Sequence, residues 1–176
     1  SGQLGDVMKE SITAATVLLK SQASEFGVDL DKDVEKFNFH VHVPAGATPK
    51  DGPSAGAAML TAIFSAATGR AVRKDVAMTG EITTIGDVTA IGGLREKLAA
   101  ASRAGCTTVI IPQENEKDLD EVPQSIKDAL DIHPVSHVSE VLKIALVGGY
   151  EPTTSPANDD KDVPSLLKAP VRAPHN

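Results

Sequence analysis

Apolar residues recur at helical spacing from the start of the chain. Leu4, Val7, Met8, Ile12, Ala15 and Leu19 share one stripe, predicting a helix from Leu4 to about Phe26, closed by Gly27. The period then changes to two. In Phe37-Asn-Phe-His-Val-His-Val43 the residues Phe37, Phe39, Val41 and Val43 take one face of a strand, while Asn38, His40 and His42 take the other. A loop rich in Pro and Gly runs from Pro44 to Pro53, followed by a small-residue helix from Ser54 to about Thr68 that Gly69 stops. Short strands are predicted at Val76–Thr79 and Ile82–Ile91, the latter turning near Gly86-Asp87. Gly92-Gly93 opens a helix over Leu94–Ala104, and Thr107–Ile111 reads as a strand. Short helices come next at Glu114–Val122 and Pro123–Leu130, then a strand at Ile132–Val135 and a final helix at Ser139–Leu146. Strands and helices alternate, which gives an α/β or mixed α+β fold.

Past Gly148-Gly149 the pattern stops. Five of the eleven prolines lie between Pro152 and Pro174, among Asp, Asn, Ser and Thr with few apolar residues. The expected organisation is a folded domain over residues 1–147 and a disordered, Pro-rich tail over 148–176. The chain is 41% apolar but only 3% aromatic, so its core is built from Ala, Val, Ile and Leu. A net charge of −7 without any basic block excludes a general nucleic-acid-binding surface. No apolar run is long enough for a membrane span, and no signal-peptide layout opens the chain. The single cysteine, Cys106, begins an apolar run and reads as a buried core thiol; with no CxxC or His-rich pairing, neither a disulfide nor a structural metal is expected. A reducing, cytoplasmic setting fits.

Candidate chemistry concentrates at Pro49-Lys-Asp-Gly-Pro-Ser-Ala-Gly56, where a glycine-rich loop meets a helix N-terminus. Unpaired N–H groups and the positive end of the helix macrodipole can stabilise an oxyanion beside Ser54, with Gly52, Pro53 and Ala55 shaping the loop. Three readings stand side by side: Ser54 as a nucleophile, Ser54 as an ordinary N-cap, and the turn as an anion-binding loop. The segment also spells G-x-S-x-G, but a nucleophile elbow needs a strand running directly into the serine, and here a loop intervenes. No full Walker A pattern occurs in the chain.

Lys97 is the second candidate. Leu94, Lys97, Leu98 and Ala101 follow i, i+3, i+4 and i+7, which puts the lysine in the apolar stripe of its helix. A lysine there either snorkels to water or serves because burial disfavours its charge, and a neutral amine is a competent base for a serine hydroxyl. His40 and His42 read as packing or hydrogen-bonding residues near the loop. Asp51 is a triad acid, a loop stabiliser or a solvated charge. His133 and His137 read as structural, and Glu114–Glu121 as a solvated helix face.

Taken together, these segments resemble the Lon protease family, in its bacterial form. His40–Gly56 resembles the family's nucleophile segment. Met78-Thr-Gly-Glu-Ile82, Ile91-Gly-Gly-Leu-Arg-Glu-Lys97, Ile110-Ile-Pro-Gln-Glu-Asn115 and Asp131-Ile-His-Pro-Val135 resemble its later signatures in unbroken order, and Leu4–Ser11 resembles its opening helix. The resemblance implies an α+β peptidase domain like the second domain of ribosomal protein S5. It implies a serine endopeptidase working through a Ser54–Lys97 dyad on unfolded or damaged proteins. Thr79 would hydrogen-bond the lysine, and Asp51 would pair with it in a resting state. The resemblance also implies a homohexameric ring, polypeptide substrates and an ATP- and magnesium-using AAA+ motor that these 176 residues do not contain, with no cofactor in this chain. A family hairpin bearing a Trp and an active-site Glu has no counterpart here, and Thr83–Ile91 departs from the usual Leu- and Pro-containing stretch.

Overall fold

A computed structural model describes residues 4–27, 39–43 and 51–150. The parts of the predicted strand before Phe39, the loop over residues 44–50 and the tail from residue 151 lie outside the described residues.

Helix α1 spans Asp6–Ser21, buries Met8, Ser11, Ala15, Leu18 and Leu19, and leaves Val7 on the solvent side. It ends earlier than its periodicity suggests. From Gln22 onward the chain is held by turns, the N–H of Phe26 donating to the Gln22 carbonyl and that of Gly27 to Ser24. Helix α2, Gly56–Thr68, comes after a 3₁₀ turn at Pro53–Ala55 and stops at Gly69, whose φ of 70° suits glycine. The predicted turn near Gly86-Asp87 within Ile82–Ile91 is present, and the segment forms a small hairpin. Strands β2 (Glu81–Ile82) and β3 (Val88–Thr89) pair antiparallel around Gly86. Helix α3, Leu94–Arg103, comes next.

Strands β1 (Val76–Met78), β4 (Thr108–Pro112) and β5 (Asp131–Val135) form a parallel sheet in the order β1-β4-β5. All five residues of the central strand β4 are buried, and its side chains alternate between two cores. Ile110 enters one cluster with Leu18, Leu60, Phe64, Val135 and Leu142. Val109 and Ile111 enter the other, with Leu94, Leu98, Ala101, Val122 and Leu130. Helices α1, α2 and α5 (Val138–Ala145) therefore cover one face of the sheet, while α3 and the short α4 (Gln124–Ala129) serve the other. The result is the expected mixture of helices and strands.

Cys106 is half-buried against the second cluster, less enclosed than its apolar run suggested. The acidic segment before α4 is a 3₁₀ helix over Gln113–Glu121, and it is not wholly a solvated face, because Asn115 is buried. His137 caps α5 by accepting the Ser139 N–H, with Glu140 completing a capping box. The packing continues past Gly148-Gly149 to Tyr150, which is 3% exposed, lies against Phe26 and Phe64, and donates its hydroxyl to the Glu25 carbonyl at 3.0 Å. Among the described residues no helix is long and apolar enough to cross a membrane.

Candidate active site

Ser54 stands in the 3₁₀ turn that leads into α2, and two elements pin its backbone. Its carbonyl accepts the Gly80 N–H at 2.9 Å, and the Gly80 carbonyl accepts the Ala57 N–H at 3.1 Å. This reciprocal pair stitches the serine turn to the chain joining β1 and β2. Such close approach needs Gly56. A Cβ there would meet the Ile82 nitrogen at 3.0 Å and the Gly80 carbonyl oxygen at 3.2 Å.

Lys97 reaches the same point from the other side of the sheet. It lies in the first half of α3, half-buried at the border of the stripe whose core members are Leu94, Leu98 and Ala101. Its Nζ donates to Ser54 Oγ at 3.1 Å, across 43 residues of sequence. That separation is within the reach required for proton transfer between a nucleophile and its base.

The neighbours take roles other than those expected. The Thr79 hydroxyl donates to the Ser54 carbonyl at 3.2 Å, and among the described residues its partner is that carbonyl rather than Lys97. Its place is set by β1, since the Thr79 N–H donates to the Ile110 carbonyl. It thus braces the serine's backbone rather than the lysine. Asp51 does not pair with Lys97 either. Its Oδ1 accepts the Met8 N–H at 3.0 Å and the Gly52 N–H at 2.9 Å. Met8 is the third residue of α1, whose own cap position is Gly5 and offers no side-chain acceptor. Asp51 is therefore the N-cap of α1 supplied from a distant loop, an anion at the positive end of a helix. The fit is close: a Cβ on Gly5 would collide with the Asp51 carboxyl.

The loop's donors also differ from expectation. Gly52, at φ 126°, has given its N–H to Asp51, and Pro53 has none to give. The Gly56 N–H donates to the Pro53 carbonyl and the Ala57 N–H to Gly80. Gly52 and Pro53 are thus not oxyanion donors in this arrangement, and Ala55 serves as the residue from which α2 starts. His40 and His42 lie in the described segment 39–43, to which no strand is assigned. The alternation survives, however: Phe39 and Val41 pack on the first core cluster while both histidines are exposed. Sequence reasoning passed over Gly80 and Asn115, whose contacts are tertiary; the glycine between Thr79 and Glu81 was the one available signal.

A cleft of about 270 Å³ adjoins the serine turn, walled by Val7 and Ser11 of α1, by Pro53, and by Glu81, Ile82 and Thr83.

Comparison with known proteins matches residues 1–148 to the family of Lon protease (S16) C-terminal proteolytic domains. The chain is 60% identical over 152 residues to a Lon protease of Azospirillum brasilense, covering 86% of this chain and 19% of that protein. It is 53% identical over 161 residues to a Lon protease of Brevibacillus choshinensis, covering 92% and 20%. With a Lon protease of Erwinia amylovora the identity is 57% over 146 residues, covering 83% and 18%. The chain spans about a fifth of the length of these curated relatives. With a family match over nearly all its described residues, and with the Lys97 amine of α3 on the Ser54 hydroxyl ahead of α2, the chain belongs to the family of Lon protease proteolytic domains.

Proposed function

We propose that this chain is a serine endopeptidase unit in which Ser54 is the nucleophile and Lys97 the general base. The observation that supports this most directly is the 3.1 Å contact between Lys97 Nζ and Ser54 Oγ. With the amine neutral, the same contact reverses its sense and takes up the hydroxyl proton. Ser54 Oγ then bonds to the scissile carbonyl carbon, and α2's positive end faces the charge that develops on the carbonyl oxygen. The intermediate collapses by breaking the C–N bond, and Lys97 returns its proton to the leaving amine. Water, deprotonated by Lys97 in turn, hydrolyses the acyl-serine and restores the hydroxyl.

The same reading takes polypeptides as substrates and the cytoplasm as the setting. It places this unit in a longer protein whose AAA+ motor unfolds substrates with ATP and magnesium, six copies forming a ring around a shared chamber. The short share of the relatives' length that the chain spans supports that division of labour.

Replacing Ser54 by Ala tests the nucleophile. Hydrolysis of a fluorogenic peptide and labelling by a fluorophosphonate should both vanish, with the melting temperature nearly unchanged. An N-cap role alone would instead cost ~0.5–2 kcal/mol of stability and leave turnover intact.

A further inference from the structure

The Gln113–Glu121 segment is polar and acidic, yet Asn115 within it is only 2% exposed. Its amide is turned onto Ile91. Nδ2 donates to the Ile91 carbonyl at 2.9 Å, and Oδ1 accepts the Ile91 N–H at 2.9 Å. The second Nδ2 hydrogen goes to Asp118 Oδ2 at 2.6 Å. An ionised carboxylate only accepts, so Asp118 fixes which end of the amide is nitrogen and presents the oxygen to the Ile91 N–H. One buried side chain thereby does for Ile91 what a neighbouring strand does for its partner, satisfying both backbone groups at once.

The pairing matters because of the two residues after Ile91. Gly92 and Gly93 are both exposed, and Gly93 adopts φ 71° at the N-cap of α3 with no side-chain cap. Two glycines leave that junction with more backbone freedom than any other pair of residues would. Lys97 sits on the turn they start, its own N–H donating to the Gly93 carbonyl at 3.1 Å. Upstream of the glycines, the fixed point is Ile91 in the grip of Asn115; downstream, the fixed points are the buried Leu94 and Leu98 on either side of Lys97.

We infer that Asn115 is a positioning residue for Lys97: by holding Ile91 through both backbone groups it sets the first turns of α3 where Lys97 Nζ meets Ser54 Oγ. This rests on the reading of Ser54 and Lys97 as a dyad. Misplacing a reacting group by about 1 Å costs on the order of a hundredfold in rate, so loss of the grip should appear in the chemistry more than in the fold.

The test uses the purified chain, a fluorophosphonate as probe of Ser54, and labelling rates measured across pH. Asn115→Ala should slow labelling about tenfold to a hundredfold and flatten its rise with pH toward the profile of Lys97→Met. Ile126→Ala, a substitution in the same core cluster away from Ile91, serves as the stability control and should keep the wild-type profile at a comparable loss of melting temperature. Asp118→Ala, at a half-buried position, should slow labelling in the same direction by a smaller factor and carries the test should Asn115→Ala fail to fold. Wild-type labelling in both variants, or losses no larger than Ile126→Ala shows, overturns the inference while the dyad stands. Undiminished labelling in Lys97→Met overturns the dyad and this inference together.

Discussion

At the residue scale, the proposed chemistry rests on a lysine placed at the border of a core. Lys97 is half-buried, with Leu94 and Leu98 beside it in the second cluster and its nitrogen on Ser54. Replacing it by Met keeps the stem's packing and removes the proposed base, so peptide hydrolysis should disappear while stability is kept or rises slightly. Half of this arrangement was legible in the sequence. A serine at a loop–helix junction and a lysine inside an apolar stripe can each be read from spacing. That they touch cannot, because the contact spans 43 residues and depends on how α2 and α3 meet the sheet. The same limit hid the roles of Thr79 and Asp51, whose partners are backbone groups of other elements.

At the scale of elements, the helices were the readable part. Periods of 3.6 and glycine stops locate α2 and α3 to within a residue or two, with Gly69 and Gly105 at positive φ closing them. Strands β1, β4 and β5 also lie within about a residue of their expected bounds, and what the sequence did not show was their pairing into one sheet. Its parallel order comes from burial on both faces of β4, visible in sequence only as a continuous apolar run. One polar cluster ties α5 to this sheet. Arg73 donates to both Asp75 oxygens and to the Thr108 hydroxyl and Ile144 carbonyl, and Thr107 donates to Asp75 as well. The hydrogen bond from Arg73, and then that from Thr107, hold the Asp75 carboxyl down at about 2. Its folded-state value is depressed, so its contribution is present above the ordinary carboxylate range and lost as pH falls through about 4 toward 2. Asp75→Asn should therefore lower the melting temperature at neutral pH, with the deficit closing by about pH 2. Thermal melts across that range check the prediction; a deficit that persisted at the acid end would assign the cluster's stability to something other than the carboxylate's charge.

At the scale of the whole molecule, the sheet carries a core on each face, with Tyr150 closed over Phe26 and Phe64. A folded core is not by itself a means of digesting folded proteins. A stable substrate hides its backbone in hydrogen bonds, and opening it globally costs about 5–15 kcal/mol. No stretch of the 176 residues spells a phosphate-binding Walker A loop, and on the reading proposed above the unfolding work falls to a motor outside them. The cleft that adjoins the serine turn is walled by side chains of α1, Pro53, β2 and the residues just after it. The purified chain should therefore cleave a short fluorogenic peptide and an unfolded protein slowly, leave a stable folded protein intact, and respond to ATP and magnesium with none of the three. Incubating all three substrates with and without the nucleotide, and following products by gel and fluorescence, separates the outcomes. ATP-stimulated loss of the folded substrate would show that the unfolding step resides in this chain after all. Cleavage of the peptide that ATP does not change, and that Ser54→Ala abolishes, would place peptide-bond chemistry here and the unfolding step elsewhere.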